Sequence, residues 1–92
     1  MSTLPTAASV VRVAPGFRLQ WEAAQTAWVL LYPEGMVRLN QSAGEILTRV
    51  DGVRTVAAIT AELESAFGAS GLEGDVLAFL EIALRQKWVE PA

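Results

Sequence analysis

The chain predicts an α+β fold, a three-stranded antiparallel β-meander followed by a three-helix bundle. Three observations carry that expectation. Apolar and polar residues alternate strictly from Phe17 to Glu22, Tyr32-Pro33-Glu34-Gly35 has the chemistry of a tight turn, and from Ser42 the apolar period becomes helical. Strands followed by helices, with no internal repeat or low-complexity tract between them, give the order of a small winged-helix-like domain.

Each element follows from its own residues. Met1 to Gly16 carries Pro5, Pro15, small residues and one apolar patch at Val10, Val11 and Val13, and is read as a flexible tail that leaves 17–92 as the folded domain. The first strand, about 17–22, sets Phe17, Leu19 and Trp21 on one face and Arg18, Gln20 and Glu22 on the other. The second, about 26–32, is apolar on both faces, with Ala27, Val29 and Leu31 backing Trp28, Leu30 and Tyr32, so it is expected to be central. Pro33 presets the second position of a type I turn, and Gly35 stands fourth, where a left-handed residue forms a bulge. The third strand, about 36–40, turns Val37 and Leu39 inward and Met36 and Arg38 outward, and in a meander it lies at the sheet edge.

The helices are marked by caps and stripes. Ser42 and Glu45 have capping-box spacing ahead of a helix over about 43–50, whose stripe of Ala43, Ile46, Leu47 and Val50 stops at Asp51-Gly52. Thr55 caps a second helix over about 56–67, with Val56, Ile59, Leu63 and Phe67 on one face and Gly68 at its end. The third, about 73–86, buries Val76, Leu77, Leu80, Ala83 and Leu84, and Trp88-Val89 closes the chain as a short extended segment against the core.

Composition then narrows function. The chain has 92 residues, 52% of them hydrophobic, with 7 basic and 10 acidic side chains and neither cysteine nor histidine. One domain of this size buries about 60–65% of the surface its unfolded chain exposes. Disulfides, thiolate metal sites, iron–sulfur clusters and thiol nucleophiles are excluded, and the commonest neutral-pH acid/base is missing. The chain is therefore expected not to be an enzyme and to need no cofactor or metal. Its longest apolar run, Ala27 to Tyr32, is too short to span a bilayer, and no basic residue precedes Arg12 as a signal peptide would require, so a cytoplasmic protein with no membrane partner is expected.

The remaining chemical motifs are weak. Glu62 and Glu64 stand two apart on a helix and do not face each other, Glu73 and Asp75 sit beside glycines, and Gly68-Ala-Ser-Gly71 lacks the lysine of a phosphate loop. Nucleic acid is disfavoured as a partner despite the topology. From Thr55 to Leu84 there is no lysine or arginine, whereas Glu62, Glu64, Glu73, Asp75 and Glu81 lie there, and phosphate would be repelled.

The third strand is more informative. An edge offers free N–H and C=O groups, and only Arg38 looks protective between Met36 and Asn40, so an extended peptide is expected to add there unless a helix or the N-terminal segment covers it. A homodimer competes for the same apolar surplus, with Trp28, Leu30 and Tyr32 as its expected face.

At this point the ordered residues resemble a known family. Arg18-Leu-Gln-Trp-Glu22, Trp28-Val-Leu-Leu-Tyr-Pro-Glu-Gly35, Val37-x-Leu-Asn40, Ser42-Ala43, Glu45-Ile-Leu47, Asp51-Gly52, Arg54-Thr55-Val56, Asp75-Val76 and Phe79-Leu80 together resemble PqqD of pyrroloquinoline quinone (PQQ) biosynthesis. The resemblance implies a peptide chaperone, a RiPP recognition element that binds the precursor peptide PqqA and delivers it to the radical S-adenosylmethionine enzyme PqqE, which cross-links a glutamate and a tyrosine of that peptide. It further implies a ladder from the main chain of Met36, Val37, Arg38, Leu39 and Asn40, and a groove wall from Val76, Phe79, Leu80 and Ala83. Lys87 before Trp88 departs from the family, where glycine is more usual. With no cysteine to hold a cluster, radical chemistry would have to sit on the partner.

Overall fold

A computed structural model of the protein describes residues 4–92. Its elements are β1 (Val11–Val13), β2 (Arg18–Glu22), β3 (Ala27–Tyr32), β4 (Gly35–Arg38), α1 (Gln41–Leu47), α2 (Val56–Phe67), α3 (Glu73–Arg85) and β5 (Val89–Pro91). β2, β3 and β4 form the expected antiparallel meander, and β1 and β5 form a second, two-stranded sheet.

That second sheet corrects the reading of the N-terminus as a tail. Met1–Thr3 lie outside the described residues, but Val11, Arg12 and Val13 pair with Pro91, Glu90 and Val89, and Val11 is only 3% exposed. The same segment completes α2. A helix leaves its first N–H groups without intrahelical partners; here Val56 donates to the Ser9 carbonyl, Ala57 to the Ala7 carbonyl, and Ala58 to the Thr55 hydroxyl. A three-residue strand between prolines carries too little pattern to declare itself when its partner lies 78 residues away.

The meander's inner face is also the reverse of the one expected for β3. Leu19, Leu30 and Val37 stand in register across the three strands, and Leu30 is fully buried in the core that Leu47, Ile59 and Leu80 bring from the helices. Trp28, Leu30 and Tyr32 therefore lie on the side that meets the helices, and Leu30, fully buried, drops out of the dimer face expected of the three, while Trp28 and Tyr32 keep part of their surface. Phe17 lies 5.3 Å from Tyr32 between ring centroids, and Trp21 meets Trp28 edge to face at 5.4 Å, so aromatic pairs flank Leu30 on this side. The outer face holds Val29, fully buried although it is no part of the main core, because Gln20 and Arg38 flank it in register and long polar side chains cover apolar neighbours.

Smaller corrections concern turns and caps. The β3–β4 hairpin closes with Tyr32 opposite Gly35, and Gly35 is absent from the left-handed residues, so no bulge forms there. Thr26 is not in the strand; its φ of 51° places it in the preceding turn. α1 begins two residues early because Asn40, not Ser42, is its cap: Asn40 Oδ1 accepts the Ala43 N–H at 2.8 Å. Glu45, freed from a capping box, pairs instead with Arg49 at 3.0 Å. The helix packs so closely on β3 that a Cβ at Gly44 would lie 2.6 Å from Trp28 Cδ1, which requires glycine at that turn. α2 occupies the expected residues, with Thr55 capping and Gly68 left-handed at its end.

Candidate functional site

β4 is the edge of the meander, and the direction of its main-chain groups follows from one hydrogen bond. The Leu39 N–H donates to the Trp28 carbonyl at 3.0 Å. In an antiparallel ladder such bonded pairs recur at every second residue, so with Val37 opposite Leu30 and Gly35 opposite Tyr32, positions 35, 37 and 39 bond inward. The N–H and C=O groups of Met36 and Arg38 point away from β3. Among the described residues no strand pairs with that side of β4, and β1, which was available in sequence, is spent on β5.

The residues expected at the site divide accordingly. Met36 and Arg38 are exposed and Val37 is half-buried. Leu39 is 5% exposed with its N–H committed to β3, and Asn40 caps α1 instead of extending the strand, so these two leave the expected ladder. Leu80 and Ala83 lie wholly within the core, and Val76, equally buried, is met from outside only at the floor of a cleft beside α1 and α2. Phe79 alone of that set reaches the surface, half-buried beside Trp88 with ring centroids 6.4 Å apart. The helical stripe sets Val76, Leu80 and Ala83 toward the core, where the structure has them; their place in a groove wall is what the family resemblance implies.

A cleft of about 320 Å³ between α1, the end of α2 and the start of α3 was not anticipated. Ile46, Phe67, Leu72 and Val76 form its apolar floor, with Glu45 and Asp75 at its rim. Phe67 is about half exposed, at 51%. The available signal was an aromatic at the last turn of a helix, directly before Gly68, where no further turn exists to cover it. Glu64 braces the loop below by accepting the Leu72 N–H at 3.0 Å, which serves α3 in place of a side-chain cap.

The charges lie mostly in pairs. Arg49 bridges Glu45 and Glu62, Arg54 bridges Glu62 and Asp51, Arg12 meets Glu90, and Arg85 meets Glu81. Asp51 accepts the N–H groups of Arg54 and Val53, which hold its carboxyl below the ordinary aspartate range with help from the Arg54 guanidinium. This is a turn-capping role, away from the cleft. Among the described residues no group of three or more acidic side chains is placed to hold a metal ion, and no helix is long and apolar enough to cross a membrane.

The open edge, the inward aromatic pairs and the three helices can be compared with known proteins. The family model of coenzyme PQQ synthesis protein D (PqqD) matches residues 27–89. The chain belongs to the PqqD family. Its match begins at the first residue of β3 and runs through β4 and all three helices. The chain is 56% identical over 89 residues to the PqqA binding protein of Pseudomonas aeruginosa (strain UCBPP-PA14), covering 96% of this chain and 97% of that protein. It is 59% identical over 76 residues to the PqqA binding protein of Azotobacter vinelandii, covering 82% and 83%.

Two solved structures of PqqD proteins resemble it, each at 30% identity and 96% coverage of both chains. The solution structure of the PqqD truncation of Methylobacterium extorquens PqqCD, described as a functional, stand-alone RiPP recognition element, superimposes with a TM-score of 0.82. The crystal structure of PqqD from Xanthomonas campestris superimposes with 0.56. Equal sequence distance thus accompanies unequal agreement in shape.

Proposed function

We propose that this chain is the peptide-binding component of PQQ biosynthesis: it takes the precursor peptide PqqA as an added strand on β4 and presents it to the radical S-adenosylmethionine enzyme PqqE. The observation that carries the reading is the outward main chain of Met36 and Arg38 at an unpaired edge, in a family whose curated members are named for binding PqqA. Strand addition takes affinity from main-chain hydrogen bonds and selectivity from the side-chain surroundings of the edge. Here those surroundings are Val37 on the inner face and Arg38 on the outer. The chain acts in the cytoplasm as a non-catalytic adaptor, and the chemistry belongs to the enzyme it serves. A second copy pairing through β4 would compete with the peptide.

Titration of isotope-labelled protein with synthetic PqqA tests this. The Met36 and Arg38 amides are expected to shift and to gain protection from exchange, while the Val37 and Leu39 amides, already bonded to β3, change less. Shifts confined to α1 would overturn strand addition. Addition of PqqE to the complex is expected to give the cross-linked peptide faster than PqqE with peptide alone.

A further inference from the structure

Every described arginine but one has a polar partner. Arg12, Arg49, Arg54 and Arg85 hold carboxylates, and Arg18 donates to Gln20 Oε1 at 2.9 Å. Among the described residues Arg38 has neither a hydrogen bond nor an ion pair, and it stands on the open edge. Its own row across the sheet contains Val29 and then Gln20, so no acid lies on that line.

We infer that Arg38 selects the incoming strand by charge: the segment that adds to β4 carries an aspartate or glutamate opposite Arg38 on the outer face of the sheet. The inference rests on strand addition at β4. Because the Arg38 main chain points to the free edge, the residue opposite it on a strand added antiparallel forms a bonded pair with it, and side chains so placed stand roughly 5 Å apart at Cβ. Opposite charges in that relation are stabilising and like charges destabilising. A charge on an edge strand normally deters pairing, and Arg38 becomes a selective guard, admitting a strand that brings a carboxylate and opposing one that brings lysine or arginine. A second copy of this chain using the same edge brings a second Arg38 into the meander, which disfavours self-pairing.

The position next to that carboxylate on the added strand falls on the opposite face, beside half-buried Val37. The recognised pattern is therefore an acidic residue followed or preceded by an apolar one, in an extended segment.

The test uses full-length protein and PqqA peptides in which each aspartate or glutamate is replaced singly by its amide. One position is expected to weaken binding to the wild type about two- to fivefold and to have no effect on Arg38→Gln. Lysine at that position is expected to restore binding to Arg38→Glu. Arg38 is exposed, so both variants should fold, and circular dichroism checks that they do. Binding that is unchanged in Arg38→Gln and Arg38→Glu, with the Met36 amide still shifting, overturns charge selection and leaves strand addition standing. Loss of the Met36 shift in the wild type itself overturns strand addition, and charge selection with it.

Discussion

Two strand edges of this molecule are treated in opposite ways. β1 lies near a chain end, where order is usually lowest, yet its ladder is filled by β5 and its flanking carbonyls complete α2. β4 lies in mid-chain, where edges are usually covered or blunted, yet Met36 and Arg38 keep their main chain turned outward. A small domain short of material would leave its terminal strand loose and cover its internal one. The reversal teaches that β4 is not open for want of a partner: a spare strand exists, and the fold uses it to bind the ends together.

The comparison breaks most readily at Val11. Val11→Asp would place a carboxylate at a site 3% exposed, and is expected to cost about 3 kcal/mol or more, a large share of the roughly 5–15 kcal/mol that holds a domain of this kind. Urea denaturation measures it, and a variant as stable as the wild type would mean that the terminal sheet carries no weight. Next comes a pair of prolines at β4. Val37→Pro removes a donor bonded to β3 and is expected to cost about 2 kcal/mol of stability. Arg38→Pro removes an outward donor and the side chain beside Val29, so its denaturation midpoint should fall less than that of Val37→Pro while PqqA affinity falls about tenfold or more. Equal stability losses in the two would contradict the assigned direction of the edge groups.

Smaller effects sharpen the terminal side. Lys87, just before β5, has a φ of 64°, a left-handed conformation that suits glycine. Lys87→Gly is expected to stabilise the fold by about 0.5–1 kcal/mol without changing peptide binding, as read from paired melting and calorimetry. The smallest effect is pH-dependent. The Gly52 N–H donates to the Val11 carbonyl, so the Asp51 turn also serves the terminal sheet. Its carboxyl titrates below the ordinary aspartate value of 3.8; the stability it contributes is present above that value and lost as pH falls through the lower folded pKa. Asp51→Asn should therefore narrow its stability gap from the wild type only in that acid range, as urea melts across pH would show.

What the sequence disclosed and what it concealed have physical causes. Alternation located β2 and β4, and the Thr55 cap with the Val56, Ile59 and Leu63 stripe placed α2 on its observed residues, because these signals are local. β3 defeated the same reasoning: with Val29 and Leu30 both fully buried, period-two alternation cannot say which face meets the helices. The direction of the edge groups depends on the bond from Leu39 to Trp28, a contact between strands that no run of residues encodes. Asn40 reads as strand because Ser42 and Glu45 offer capping-box spacing two residues on, whereas its Oδ1 accepts the Ala43 N–H. The cleft at Phe67 required knowing how α1, α2 and α3 converge.

The pairing of β1 with β5 has an architectural consequence. Val10 and Ala92 are joined by a hydrogen bond of 3.0 Å, so the incoming and outgoing chain meet at one place on the domain. Leu4 and Pro91 line one pocket, so a bridge from Ala92 to Leu4, which keeps the Ser9 and Ala7 carbonyls on α2, with a new opening cut at the exposed Gly68–Gly71 loop, should give a circular permutant that keeps its fold. By the same geometry, a neighbour tethered on either side would be attached at that one seam, away from the β4 edge.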